Sequence, residues 1–148
     1  GGRQLWDFKY GDLRGDRRHK LKMYGYYTLP WKASVGAFAI YQSGQPWEEH
    51  NYRYYPASIR GTSTSDTNRY AEPAGSNSTE AHHQLDLNYT QDLPIGDRFN
   101  MQARLDVYNV YDNQTGYNIQ DNFNSANFGL PQTFYDPRRF QISLRFEF

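Results

Sequence analysis

The amino-acid sequence predicts an all-β fold, an antiparallel meander of about five long strands. Three observations carry this prediction. Apolar residues recur at every second position in four segments, which is the period of a strand with one polar and one apolar face. Short turns that contain proline alternate with long connections rich in Asn, Ser, Thr, Gly and Tyr. No segment of useful length has the period of about 3.6 residues that marks an amphipathic helix.

The first predicted hairpin covers residues 18–43. Between His19 and Leu29 the odd positions are mostly apolar or small, and the even positions hold Lys, Tyr or Thr. The stretch "LPWK" follows, and its proline favours a tight turn. The return segment "ASVGAFAIYQS" is rich in strand-forming residues but apolar or small on both faces, so the pattern leaves its orientation open.

The second predicted hairpin covers residues 81–112. Its first strand alternates from Gln84 to Leu93, and the stretch "LPIGD" supplies a turn with both Pro and Gly. Its second strand alternates strictly from Arg98 to Val107. The phase blurs in the following "YNVYDN", which indicates a bulge or the point where the strand leaves its sheet.

The last predicted strand lies in residues 134–148 and has the most regular pattern in the chain. Every second residue from Phe140 to the terminal Phe148 is apolar, and the residues between them are polar or charged. The remaining residues, 1–17, 44–80 and 113–133, are predicted to be long loops. Because the strands alternate in direction, the short turns lie at one end of the sheet and the long loops at the other.

The composition excludes several classes of structure and function. The chain has 148 residues, with 16 basic and 16 acidic side chains, so no net charge draws it to nucleic acid. It has no cysteine, which excludes disulfides and thiolate metal sites. Aromatic residues make up 18% although mean hydropathy is −0.97, and no stretch is apolar enough for a membrane helix. The opening Gly1-Gly2-Arg3 suggests the middle of a longer protein.

Alternation alone fits two kinds of sheet. The apolar face points inward in a soluble sandwich or lipocalin-like barrel, and outward to lipid in an outer-membrane barrel. Long strands, one-sided loop lengths and a mixed-charge polar face favour the membrane barrel. So does the position of aromatic residues near strand ends, at Tyr27, Trp31, Phe99, Phe140 and Phe148. These features together favour a transmembrane β-barrel.

Five motifs, in order, resemble the C-terminal barrel segment of TonB-dependent outer-membrane receptors, in the Oar-like branch with a carboxypeptidase-regulatory-like leader. They are "DRRH" leading a strand, "YTLP" at a turn, "SGQP" after the return strand, "EPAGS…LDL" and "LDVYNVYDNQ". The closing "YDPRRFQISLRFEF" resembles the last strand of the same family. The sequence departs from the family at Ala74, where Arg is usual, and in "LDVYNVYDNQ", which has Tyr in place of Phe. The resemblance covers most of residues 11–148 and implies that this segment is the closing part of a transmembrane β-barrel.

The resemblance implies a larger molecule and a transport function. Such receptors are barrels of about 22 strands with a plug domain and a TonB-contacting segment, both absent from this sequence. It implies a location in the outer membrane of a Gram-negative bacterium and TonB-energised uptake of a ligand such as a siderophore, carbohydrate or peptide. The implied partners are outer-membrane lipid, the remaining strands and plug, TonB, and the barrel-assembly machinery acting on the last strand. No cofactor, nucleic acid or enzymatic activity is implied.

Three sets of site residues follow. The polar network predicted to line the lumen is Asp86, Arg98, Arg104, Asp106, Arg139, Arg145 and Glu147. The predicted lipid-facing residues are Leu85, Leu87, Phe99, Met101, Leu105, Val107, Phe140, Ile142, Leu144, Phe146 and Phe148. The candidate ligand-contact loop, which could stack on a sugar or flat ligand or simply on its own rings, is Trp47, Tyr52, Tyr54, Tyr55 and Tyr70.

Two polar groups suggest metal binding but have simpler explanations. His82, His83 and Asp86 provide too few ligands on one face for a structural metal site, so hydrogen bonding in the lumen is the favoured interpretation. A second, oxygen-rich group lacks the spacing of a calcium loop and consists of Asp112, Asn113, Asp121, Asn122 and Asn124. No metal site is therefore predicted. The sequence also lacks a recognisable Ser-His-Asp arrangement and a Gly-rich phosphate cradle, so no catalytic residue is predicted.

Two other functions stay open at this point. An adhesion- or secretion-related outer-membrane barrel would use the same strands without transport. A soluble ligand-binding β-domain would place the charged residues in water and the apolar residues inside.

Overall fold

The computed structural model describes residues 2–4, 6–60 and 69–148, without the side chain of residue 60. Within these residues the strands are β1 Lys20–Leu29, β2 Ala33–Gln42, β3 Pro46–Trp47, β4 Asn77–Ser78, β5 His82–Ile95, β6 Phe99–Tyr108, β7 Gly116–Ile119, β8 Pro131–Phe134 and β9 Arg139–Glu147. A 3-10 turn covers Tyr52–Tyr54 and a single helical turn, α1, covers Ala57–Arg60.

The chain divides into two compact units. The sheet unit consists of His19–Gln42, His82–Gln114 and Asp136–Phe148, and the loop unit consists of Gly1–Arg18, Ser43–Ala81 and Thr115–Tyr135. The sheet unit is a five-stranded antiparallel sheet in the order β1-β2-β5-β6-β9, with strands of 9 to 14 residues. The predicted all-β class and the antiparallel meander of five long strands are confirmed.

Two tight turns close the short connections of the sheet. Lys32 has a φ of 59° between β1 and β2, and Gly96 has a φ of 68° between β5 and β6. Glycine adopts such left-handed angles without strain, which explains its place in the second turn. Both turns lie at one end of the sheet because β1, β2, β5 and β6 alternate in direction. The long connections therefore leave from the opposite end.

The strand register gathers the apolar residues onto one face of the sheet. Leu105 lies opposite both Tyr89 and Ile142, and Met101 lies opposite both Leu93 and Phe146. The same register settles the orientation that the sequence left open for β2. Its residues Ala33, Val35, Ala37, Ala39 and Tyr41 share this apolar face, because they lie opposite odd-numbered residues of β1 and β5.

Several boundaries differ from the sequence prediction. The final strand begins at Arg139 and not at residue 134, because Phe134 pairs with Gly116 in the loop unit. Arg98 lies in the turn before β6, one residue outside the strand in which it was predicted. The loops predicted at 44–80 and 113–133 also contain two small sheets, β3 with β4 and β7 with β8. Part of the first loop, residues 61–68, lies outside the described residues.

Few apolar side chains are buried. Among the described residues only Ala33, Tyr55 and Ile119 form the buried apolar set, and Ala33 alone belongs to the sheet unit. A soluble sheet normally buries one face against a second layer. No described helix has the length and apolar character needed to cross a membrane.

Candidate functional site

The apolar face of the sheet is exposed along its whole last strand. Phe140, Ile142 and Leu144 are 65%, 76% and 58% exposed. Phe146 and Phe148, at the end of the same strand, are exposed too, and so are residues of this face in the other strands: Leu21, Met23, Tyr27, Val35, Tyr41, Leu87, Leu93, Ile95, Phe99 and Leu105. Leu85, Met101 and Val107 lie on the same face and are half-buried. The predicted lipid-facing set therefore occupies one continuous surface.

Aromatic rings mark both ends of this surface. At the short-turn end the rings of Phe99 and Phe148 lie 6.4 Å apart, and Trp31 is exposed in the first turn. The Trp31 indole N–H donates to the Tyr89 hydroxyl at 3.3 Å. Phe140 lies at the opposite end of β9. Rings at both ends of an apolar band are typical of membrane-interface positions.

Charges on the opposite face pair along strands. Arg104 donates to Asp106 on the same strand at 2.8 Å, and Arg145 pairs with Glu147 at 2.8 Å. Asp106 is buried, so its pairing satisfies a carboxylate that has left water. Each of these partners lies two residues away on the same strand, where side chains share a face.

Other members of the predicted polar network have separate partners. Asp86 accepts hydrogen bonds from the Gln84 side chain at 3.0 Å and from the backbone N–H of Asn109 at 2.8 Å. The Arg139 guanidinium lies 4.7 Å from the centre of the Tyr108 ring. Asp86 thus fixes the chain at the point where it leaves β6. The seven residues of the predicted polar network do not form one connected charge network.

Asn109 organises the end of the second hairpin. It is 1% exposed and has a φ of 54°. Its side chain donates to the carbonyls of Asn113 and Asp136 and accepts from the N–H of Asn113, at 2.8 to 3.1 Å. Asn is among the few residues that adopt this backbone conformation readily. The loss of strict alternation after Val107 therefore marks the point where the strand leaves the sheet.

The residues first considered for metal binding have other roles. His82 is buried with Nε2 3.3 Å from Gln84 Oε1, and His83 contacts the Tyr111 ring on the apolar face. In the described residues no three His, Asp or Glu side chains are placed to hold a metal ion. Asp112 accepts from the Arg138 backbone N–H at 2.9 Å, and this bond lowers the pKa of its carboxyl group.

The five aromatic residues of the candidate ligand-contact loop do not form one stacking surface. Tyr55 is 2% exposed, and its hydroxyl donates to the Tyr70 carbonyl at 2.7 Å. The Arg3 guanidinium lies over the Tyr54 ring at 4.6 Å. Tyr52 is half-buried in the 3-10 turn. Trp47 lines a groove between the two small sheets.

A buried polar cluster, missed at the sequence level, joins two segments of the loop unit. His50 Nε2 lies 3.0 Å from Glu48 Oε1, and Nδ1 lies 3.3 Å from Asp121 Oδ2. Asp121 also pairs with Arg14. The His50 backbone N–H donates to the Asp121 carbonyl at 2.8 Å, and its carbonyl accepts from Phe123 at 3.0 Å. We call these residues the His50 clamp, because they fix residues 48–51 to residues 121–123.

The surroundings of the His50 clamp shift two pKa values. Burial opposes ionisation of Glu48, but hydrogen bonds from His50 and from the Gly75 N–H outweigh it and lower the pKa of Glu48 overall. Burial raises the pKa of the Tyr70 hydroxyl, and the Glu48 charge raises it further. The Tyr70 ring meets the His50 ring edge-on at 4.7 Å. Glu48 is thus held as a carboxylate in a site of low exposure.

A groove opens between the two small sheets of the loop unit. Trp47, Ser78, Thr79 and Glu80 line one wall. The other wall and the floor are formed by Thr115, Gly116, Ile119, Gly129 and Pro131. We call this feature the Trp47 groove. The only sequence signal for this groove was a single Trp in a polar loop, because β3 and β4 have two residues each and are too short to show an alternating pattern.

Comparisons with protein-family models, with curated proteins and with solved structures returned no match to this chain.

Proposed function

We propose that this chain is the closing part of an outer-membrane β-barrel that acts as a TonB-dependent receptor and imports a ligand. One observation carries the membrane part of the proposal: an apolar face continuous over five long strands is exposed. Leaving such a face in water is unfavourable at roughly 25 cal/mol per Å² of apolar surface. Contact with hydrocarbon removes that cost.

The opposite face supports an enclosed, polar interior. Four of its charges are paired, Arg104 with Asp106 and Arg145 with Glu147, and it also carries hydrogen-bonding side chains. A barrel lumen that is filled with water or a plug accommodates such a lining. The edge strands β1 and β9 each have one paired neighbour within the described sheet. In lipid both open edges require further strands, which fits a larger barrel.

The transport part of the proposal rests on the five ordered motifs that resemble Oar-like receptors. Import by gating needs no bond-making residue in this segment. The loop unit, which contains the His50 clamp and the Trp47 groove, supplies the surface where a ligand is first bound.

The decisive experiment uses the native gene product, not the isolated segment. Cells are fractionated, and the outer-membrane fraction is run on gels with and without heating. A folded barrel migrates differently from its heated form, and this difference is the expected result. Recovery of the product in the soluble fraction would favour a soluble ligand-binding domain instead. Co-purification with TonB separates an import receptor from an adhesion or secretion barrel.

A further inference from the structure

The Trp47 groove has walls that are fixed to one another. The backbone N–H of Asn118, in β7, donates to the Gln45 side chain at 2.7 Å. The rings of Trp47 and Phe128 meet edge-on at 6.2 Å. The floor of the groove is also held in place, because Ile119 and Thr115 are buried. A groove held by contacts of this kind is preformed, so a ligand that enters it does not need to order the walls.

The polar groups at the rim define what this groove can recognise. Among the described residues, the Trp47 indole N–H and the Glu80 carboxylate have no hydrogen-bond partner. The Ser78 hydroxyl donates to the Thr79 carbonyl at 3.2 Å and keeps its acceptor capacity. The rim thus offers one donor and two acceptors beside an aromatic ring and an aliphatic floor. No Lys or Arg lines the groove, so anionic ligands have no counter-charge there.

We propose that the Trp47 groove binds a neutral saccharide ring. Such a ring has an apolar C–H face, which suits the indole and the aliphatic floor. Its hydroxyl groups donate to Glu80 and Ser78 and accept from the indole N–H, so one ligand satisfies all three rim groups. A carboxylate- or phosphate-bearing ligand would meet the Glu80 charge without compensation.

Only the role of the saccharide as imported cargo rests on the proposed receptor function. Binding in the groove is a property of the loop unit and is measured separately. If the product fractionates as a soluble protein and still binds saccharide through Trp47, the import proposal fails and the binding proposal stands.

The test is binding of the purified native gene product to an array of neutral oligosaccharides, with affinities of positive probes measured by calorimetry. Two variants address the groove. Trp47→Phe keeps a ring against Phe128 and removes the indole N–H, and Glu80→Ala removes an exposed acceptor without disturbing a buried contact. Each groove variant has a matched control in the loop unit. Trp6→Phe is the control for Trp47→Phe, because Trp6 is 71% exposed and lies outside the groove. Asp16→Ala is the control for Glu80→Ala, because Asp16 is an exposed carboxylate outside the groove.

We expect at least one neutral saccharide to bind, and each groove variant to weaken its affinity about tenfold, the loss expected when one good hydrogen bond is removed. The two controls should bind within about twofold of the unmodified protein. Absence of binding to every neutral probe overturns the proposal, as does binding that both groove variants leave unchanged. Selective binding of a cationic probe such as spermidine would also overturn it, since Glu80 would then serve as a counter-charge.

Discussion

Substitutions along β9 test whether the exposed apolar face contacts lipid. The strand has nine residues, Arg139–Glu147. At a tilt of about 40° a strand advances about 2.5 Å per residue along the membrane normal, so β9 covers about 23 Å of an apolar band about 25 Å tall. Its middle residue is Ser143. Leu144 therefore lies about 3 Å from the bilayer midplane, and Phe140 lies about 8 Å from it.

Leu144→Arg should destabilise the folded barrel by about 2–4 kcal/mol, because a guanidinium near the midplane loses its hydration. Phe140→Arg should cost about 0–1 kcal/mol, since Arg near the interface reaches water. Gln141→Arg is the matched control: it lies on the polar face opposite Asp106, and we expect a change below about 0.5 kcal/mol. The assay is the temperature at which the folded gel band of the native gene product is lost. Equal losses for Leu144→Arg and Gln141→Arg, or a larger loss for Phe140→Arg than for Leu144→Arg, would show that this face of β9 does not contact lipid as described.

Three further predictions concern the loop unit and the hairpin end. His50→Leu leaves the Glu48 carboxylate without its buried partner and should lower the free energy of local opening by about 2–3 kcal/mol. Hydrogen exchange at the Phe123 amide should therefore accelerate about 30- to 150-fold. Unchanged exchange would contradict the role of the His50 clamp. The net lowering of the Glu48 pKa below its usual 4.5 means that its stabilisation is complete above that pH and is lost as pH falls through the lower folded value. Protection factors at the Phe123 amide should therefore stay constant above about pH 5 and drop progressively below pH 4.5, and a flat profile would count against this linkage. Asn109→Ala removes three side-chain hydrogen bonds at a φ of 54° and should lower the melting temperature by an amount equivalent to about 2–4 kcal/mol, whereas exposed Asn127→Ala should have little effect.

The sheet could be predicted because its signal is local and repeated. Alternation over nine or more residues fixes which residues share a face, as in Phe140 to Phe148, and the Pro and Gly turns fix which strands are neighbours. The orientation of β2 was not predictable, because small and apolar residues occur on both of its faces. Only pairing with β1 and β5 settles it.

The loop unit could not be predicted for a different physical reason. Its small sheets have strands of two to four residues, too short for a period to show. The His50 clamp joins residues about 70 positions apart in the chain, and no sequence pattern links His50 to Asp121. The contacts of the aromatic residues in this region depend on Arg3 and on backbone carbonyls, whose positions the sequence does not show.

Contact between the apolar face of β9 and lipid is tested most directly by nitroxide scanning of β9 in the native gene product within its outer membrane. The chain has no cysteine, so single cysteines from position 139 to 147 label without background from this segment. We expect labels at Phe140, Ile142, Leu144 and Phe146 to be relaxed by oxygen and shielded from a water-soluble nickel chelate, whereas labels at the residues between them should lack the oxygen maximum. Labels at Ile142 and Leu144 that are shielded from both reagents, or open to the nickel chelate, would contradict contact with lipid.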